Sequence, residues 1–221
     1  AYEIVSRDWS SDVCSSDLVH LVGTDGAALK PEDLVVTSRA LDIARDRIVA
    51  TADSFSVMVQ GNALGYQKSS LVKAEGGWLY TEDSQIAGIV QQHTEVRFTE
   101  SLEMRSVAQQ GKQAGKASTI AVTYAGGRAT GTAATPQPPA GDIKTVKVDA
   151  ELPAGAVDDN LLTVLLPGLR FAAGAKIPVT VFQSGKGSVV TLTLRVVGEE
   201  ELKVPAGSFR VWKVEMTGGE Q

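Results

Sequence analysis

The best candidates for acid–base chemistry in this chain, by residue type and spacing, are a histidine, a glutamate and an arginine. His93, Glu95 and Arg97 alternate along one predicted strand, so they share one face of a sheet. Such a group could line a polar pocket, but a solvated sheet face explains the same alternation, and no nucleophile stands at a recognisable spacing from a base. We therefore expect no catalytic residues and no enzymatic activity.

Two acidic runs could bind a cation. Three consecutive glutamates, 199–201, lie at a predicted strand end, where a solvated charge run is the simpler interpretation. Asp158 and Asp159 precede an apolar run, where helix capping explains them. Because His20 and His93 are the only histidines, a zinc site built on histidine pairs is excluded. We expect neither a metal nor another cofactor.

A glycine-rich stretch, 111–117, invites comparison with a phosphate-binding loop but lacks its spacing. Three residues separate Gly111 from Gly115 where the loop needs four. Ala117 follows Lys116 where the loop needs serine or threonine. The stretch is therefore predicted to be an ordinary turn.

Residues 1–18 resemble a translated sequencing adapter, because 1–4 and 8–18 back-translate into its two fixed halves. This segment contains Cys14, the only cysteine, so the rest of the chain offers neither a disulfide nor a thiolate. The remainder has a net charge of −2 and no basic stripe, which argues against nucleic acid as a partner. No run of eighteen apolar residues occurs, so no transmembrane segment is expected.

From Thr51 onward the side chains alternate with the period of two that is typical of β-strands. Glycine pairs at 76–77 and 126–127 predict hairpin turns. Because short turns connect about nine or ten predicted strands, only antiparallel pairing is expected. Asp158 or Asp159 begins one short apolar helix that Pro167 and Gly168 end, and its leucines should be buried.

The segment 194–214, LRVVGEEELKVPAGSFRVWKV, resembles a signature of bacterial envelope β domains of unknown function. In these domains a V-x-G-x-E strand leads into V-P-A-G-T/S-F and out on a long strand. Segments 55–65 and 158–174 resemble their opening strand and short helix. These domains are distantly similar to lipoprotein carriers. The resemblance implies a mainly β fold, a strongly curved antiparallel sheet (half-barrel or open barrel) with one short buried helix, and a periplasmic or secreted location.

These patterns divide the chain into three segments. Residues 1–18 are interpreted as non-native, and 19–50 as a linker or the end of an upstream element. Residues 51–221 form the antiparallel β domain, which we expect to be truncated at its C-terminus.

The leading hypothesis is a non-catalytic, secreted or periplasmic domain that binds an apolar ligand, such as a lipid, or another envelope component. A half-barrel has a concave pocket. The side chains expected to line it are Trp78, Phe98, Leu161, Leu162, Leu165 and Phe171. The alternative is a structural accessory domain fused to a secreted hydrolase. A third, an enzyme using carboxylates such as Glu75 and Glu95, has no supporting spacing. The sequence predicts no particular oligomeric state.

Overall fold

The computed structural model describes residues 41–60, 62–137 and 141–218. Over these residues the fold is mainly antiparallel β with one short α-helix, and the sheet curls into a half-barrel. This confirms the predicted fold class. The segment 1–18 and most of the predicted linker 19–50 lie outside the described residues.

The first eight strands form one sheet in which each strand pairs antiparallel with the next. They are β1 (Thr51–Val59), β2 (Asn62–Ala74), β3 (Gly77–Ile86), β4 (Val90–Phe98), β5 (Met104–Gln113), β6 (Lys116–Ala125), β7 (Arg128–Gln137) and β8 (Asp142–Glu151). The predicted glycine turns connect β2 to β3 and β6 to β7. Gly76 and Gly126 have φ angles of 74° and 56°, which glycine adopts without a steric penalty.

A second sheet contains the remaining strands in the order β12-β11-β10-β9. They are β9 (Val157–Asp158), β10 (Lys176–Gln183), β11 (Ser188–Val204) and β12 (Gly207–Gly218). The expectation of antiparallel pairing alone was wrong, because β9 pairs parallel with β10 over Val157 and Asp158. The segment 159–175 between these strands is long enough for the crossover that a parallel pair requires.

The predicted helix is α1 (Asp159–Leu165), and the side chain of Asp158 caps its N-terminus. The backbone N–H of Asn160 donates to Asp158 Oδ1 at 2.8 Å. A 3-10 turn, Leu166–Gly168, follows directly, with Pro167 at its start. The predicted cap, burial and end of this helix are confirmed.

Two strands run through residue types that commonly interrupt a sheet. β7 contains Pro136 and continues to Gln137. The β6–β7 ladder ends at Ala134, so Pro136 lies beyond it and its missing N–H removes no bond from that ladder. β11 runs through Gly198 with only a register shift, as at a β-bulge.

The helix α1 lies between two apolar clusters. Leu161, Val164 and Leu165 belong to the cluster on the concave face of the eight-stranded sheet. Leu162 belongs to a second cluster, with residues of β10 and β11. The segment 41–50 packs beside the turn after α1, where the Ala44 N–H donates to the Gly168 carbonyl at 2.8 Å. Burial on both sides therefore fixes α1, which is too short to be stable alone.

Candidate functional site: the two ends of the concave sheet face

The strand register places the inward side chains of the eight-stranded sheet in rows that cross the strands. One row is apolar or aromatic from β2 to β6, where its buried members are Leu71, Tyr80, Val96, Val107 and Val122. The next inward pair toward the same end of the sheet is Trp78 and Phe98. We call this part of the face the apolar end. α1 packs onto it through the first apolar cluster.

The six side chains predicted to line an apolar pocket divide between the two clusters. Trp78, Phe98, Leu161 and Leu165 share the first cluster. The other two, Leu162 and Phe171, belong to the second, where the Phe171 ring lies 6.2 Å from that of Trp212. Leu161 and Phe98 are 0% and 1% exposed, so helix and sheet pack directly against each other. That these residues bind a ligand stays a prediction.

Two further rows of the same face carry polar side chains. The first contains the cross-strand partners Ser69, Glu82, Thr94 and Gln109. The second contains Gln67, Ser84, Gln92, Gly111 and Ser118. Thr94, Gln109 and Ser118 are buried, and the remaining side chains in these rows are half-buried. We call this part of the face the polar end.

A hydrogen-bonded carboxylate lies where the polar end meets the apolar end. Glu82 Oε2 accepts from Gln67 Nε2 and from the Tyr80 hydroxyl, both at 2.7 Å. The Ser84 hydroxyl donates to Glu82 Oε1 at 3.1 Å. Burial, followed by the charge of Glu82, raises the pKa of Tyr80, so the phenol stays a hydrogen-bond donor.

Amides continue the polar end toward β5. Gln113 Nε2 donates to Gln92 Oε1 at 3.3 Å, and Gln92 Nε2 donates to Thr94 Oγ1 at 3.2 Å. The Ser118 hydroxyl differs from its neighbours. It is fully buried and has no hydrogen-bond partner among the described residues.

The polar end was not predicted from the sequence, although the alternation along β4 carries a signal for it. Gln92, Thr94, Val96 and Phe98 alternate on one face of that strand, and their polarity falls steadily along it. That alternation places polar and apolar groups on the same inward face. The titratable residues His93, Glu95 and Arg97 lie on the opposite face of the same strand.

A polar cluster holds the N-terminus of α1 against both sheets. The Tyr124 hydroxyl, from β6, donates to Asp158 Oδ2. Asn160 Nδ2 donates to Asp158 Oδ1 and Asp159 Oδ1, each at 2.9 Å, and to Ser184 Oγ at 3.1 Å. Asp158 and Ser184 are 1% and 0% exposed, so the cluster compensates buried polar groups at the junction of the sheets.

Two groups of this cluster have raised pKa values. Burial, then the charge of Asp158, raises the pKa of Tyr124, which keeps the phenol protonated. Loss of water around the carboxyl, then the neighbouring Asp158, raises the pKa of Asp159 from 3.8 to about 8.

The histidine group predicted on one strand face exists, and it lies on the outer face of β4. His93 Nδ1 lies 2.7 Å from Asp83 Oδ1, and its Nε2 lies 3.6 Å from Glu95 Oε1. Arg97 lies 3.8 Å from Glu95. The hydrogen bond with Asp83 raises the pKa of His93. Side-chain exposures of 37% to 52% for His93, Glu95 and Arg97 match the predicted solvated face.

The other motifs are also at the surface. Residues 199–201 lie on β11, where Glu199 pairs with Arg210 and Glu200 lies 3.7 Å from Lys213. The turn predicted within 111–117 is confirmed at Ala114 and Gly115, which connect β5 to β6. Among the described residues, no group of three His, Cys, Asp or Glu side chains could hold a metal ion.

Two open depressions lie on the described surface. One, of about 690 Å³, is lined in part by Arg45, Gly77 and Arg105. The other, of about 410 Å³, is lined in part by Glu199 and Phe209. Neither contains any of the six side chains predicted to line an apolar pocket. Within the described ranges, no helix has both the length and the apolar character needed to cross a bilayer.

Fold and site together define an antiparallel half-barrel domain with a capped helix on the apolar end of its concave face. Residues 88–221 match the family described as Protein of unknown function (DUF3108), and the chain belongs to that family. The match covers β4 to β12, whereas β1 to β3 precede it in the same continuous sheet. No curated protein and no solved structure matched the chain.

Proposed function

We propose that the domain is a non-catalytic binding module of the bacterial envelope, periplasmic or secreted, that holds an apolar ligand or the apolar part of an envelope component. The resemblance of the V-P-A-G-S-F turn to envelope β domains supports the location. The observation that supports binding is the packing of α1. Its leucines lie on the concave face, in one cluster with Trp78 and Phe98.

A ligand would occupy this face by replacing the contacts that α1 makes there. The helix has seven residues, and helices of this length depend on packing for their stability. Its opposite side contacts β10 and β11 through Leu162 and the second cluster. α1 could therefore leave the apolar end while it remains attached to the four-stranded sheet. Acyl chains suit such a surface because burial of each methylene contributes about 0.8 kcal/mol.

The first experiment asks whether a ligand is present. The chain is purified from a bacterial host and examined by native mass spectrometry, and binding of a fluorescent fatty acid is then titrated. We expect bound lipid, or saturable fatty-acid binding that quenches Trp78 emission. A ligand-free mass together with no saturable binding would contradict the proposal and favour a purely structural role.

Two leucines of α1 provide a matched pair of variants. Leu161→Ala weakens packing on the concave face, whereas Leu162→Ala weakens packing on the four-stranded sheet. Truncation of a buried leucine costs about 2–5 kcal/mol. Since a tenfold change in affinity needs only ~1.4 kcal/mol, Leu161→Ala should tighten fatty-acid binding about tenfold or more. Leu162→Ala should not. Equal effects of the two variants would contradict competition between α1 and the ligand.

A further inference from the structure

We propose that the polar end of the concave face binds a neutral saccharide. One row of its inward positions crosses five neighbouring strands and carries amides and hydroxyls at Gln67, Ser84, Gln92 and Ser118, with Gly111 as its member on β5. Amides and hydroxyls both donate and accept hydrogen bonds, as sugar hydroxyls do. The proposal is independent of the proposed function, because it uses other residues and another class of ligand.

The burial of the Ser118 hydroxyl without a hydrogen-bond partner among the described residues points most directly to a ligand. The residue is 1% exposed. A buried hydroxyl without a partner is costly, and such groups are uncommon in native proteins. A ligand hydroxyl that reaches Ser118 would compensate this cost. The same ligand could not be apolar, because an apolar group would leave Ser118 without a partner.

A gap in the row lies directly beside Ser118. Its cross-strand partner is Gly111, which stands between Ser118 and Gln92 and has no side chain. A Cβ at position 111 would lie 2.0 Å from the Gln91 carbonyl oxygen, so only glycine fits there. The backbone geometry therefore leaves the row without a side chain between Gln92 and Ser118.

Two carboxylates lie beside the row, those of Glu82 and of Asp53, the cross-strand partner of Ser69, and they disfavour an anionic ligand. Glu82 accepts hydrogen bonds from Gln67, Tyr80 and Ser84, so hydroxyl and amide donors already compensate its carboxylate. The members of the row itself are uncharged. The cross-strand partner of Gln67 on β1 is Phe55, which is half-buried and offers a ring for the apolar face of a sugar.

A saccharide fits this arrangement better than a peptide does. A peptide that extends a sheet binds along an exposed strand edge through its main chain. Here the available groups are side chains on the face of β2 to β6, in the interior of the eight-strand order. Binding of a peptide is kept as an outcome of the test.

The full chain is tested by saturation-transfer NMR and calorimetry with cellotetraose, maltotetraose, mannotetraose and tetra-N-acetylchitotetraose, and on an array of neutral and anionic glycans. We expect saturable binding of at least one neutral glycan. The proposal would be overturned if no neutral glycan bound to the chain, or if only anionic glycans bound to it. Fatty-acid binding is measured on the same sample, so the two proposals can fail separately.

Two adjacent glutamines of β4 provide matched variants. Gln92 points inward and is half-buried, whereas Gln91 points outward and is exposed. Loss of one hydrogen bond to a neutral group should weaken glycan binding about three- to tenfold in Gln92→Ala. Gln91→Ala should bind as the unchanged chain does. Equal affinities of the two variants would overturn the assignment to this face. Displacement of the glycan by a competing peptide, to the same extent in Gln92→Ala as in the unchanged chain, would also overturn it.

Ser118→Ala separates a binding role from a structural one. Removal of a buried hydroxyl that has no partner should leave the melting temperature unchanged or raise it. The same variant should weaken glycan binding about three- to tenfold. A lowered melting temperature with unchanged glycan affinity would show that the hydroxyl serves the fold alone and would overturn the proposal.

Discussion

The apolar and polar ends of the concave face belong to the same strands, yet they differ in what covers them. At the apolar end, Phe98 and Val96 are almost fully buried beside α1. At the polar end, four to six residues away along the same strands, Gln92, Ser84 and Gln67 are only half-buried. Apolar area removed from water stabilises the fold in proportion to its size. Polar groups contribute little net stability when paired, but they select what binds.

The difference suggests a division of roles along each strand. The apolar end provides most of the stability and holds the helix, while the polar end is available for recognition. The first variant below tests whether stability is concentrated at the apolar end, and the others compare that effect with those at the polar cluster of α1 and on the outer face.

The largest effect is expected at the centre of the apolar end. Phe98→Ala should lower the free energy of unfolding by about 3–5 kcal/mol, because it leaves a cavity in a side-chain cluster where Phe98 is 1% exposed. The matched variant is Phe55→Ala on β1, where the ring is half-buried. Urea denaturation should show a loss less than half as large for Phe55→Ala. Equal losses would show that the two ends do not differ.

A smaller effect is expected at the polar cluster that holds α1. Tyr124→Phe removes the hydroxyl that donates to the buried Asp158 carboxylate. Since a buried group that loses its partner costs about 1–3 kcal/mol, thermal denaturation should show a loss in that range. The control is Tyr66→Phe, at an exposed tyrosine, which should be close to neutral. A neutral Tyr124→Phe would mean that the cluster does not hold the helix.

The raised pKa of Asp159 should make the stability of the fold depend on pH. Its folded-state pKa is raised, so its contribution to stability is present below the ordinary value of 3.8 and is lost as the pH rises toward about 8. Asp159→Asn should remove this dependence, and the variant should gain stability relative to the unchanged chain as the pH rises through that window. Denaturation at pH 4, 6 and 8 provides the measurement. A stability difference that stays constant with pH would contradict the raised pKa.

The smallest effect is expected on the outer face. The His93 pKa is raised by Asp83, so this pair contributes to stability below the ordinary histidine value of 6.5, and its contribution is lost as the pH rises through the folded-state pKa. Because the pair is exposed, His93→Gln should cost at most about 1 kcal/mol at pH 5.5 and less at pH 8. A cost above that range would indicate a role beyond a solvated ion pair.

Local patterns in the sequence predicted the fold class and α1 correctly. The period of two, the glycine turns, and the sequence of Asp158, leucines and Pro167 are local signals, and each corresponds to an element of the structure. The second sheet and the parallel pairing of Val157 with Val181 were not predicted. They depend on where the crossover through α1 returns the chain, and no local pattern encodes that position.

The candidate site was predicted only in part, for a similar reason. The six residues predicted to line an apolar pocket could be chosen from the sequence because their side chains are large and apolar. Four of the six share one cluster. The polar row could not be assembled, because it requires the register between five strands, which places Gln67, Gln92 and Ser118 in line. Their side chains look like ordinary surface residues until that register is known.

Quenching of single tryptophans by acrylamide tests the difference between the two ends most directly. In one variant, Trp9→Phe and Trp212→Phe leave Trp78, which is 9% exposed and has the Lys73 ammonium 4.1 Å from its ring centroid. In the other, Trp78→Phe and Phe55→Trp are added, so that the only indole reports on the polar end. We expect blue-shifted emission and weak quenching for Trp78, and clearly stronger quenching for the indole at position 55. Equal quenching of the two indoles would contradict the difference in burial between the apolar end and the polar end.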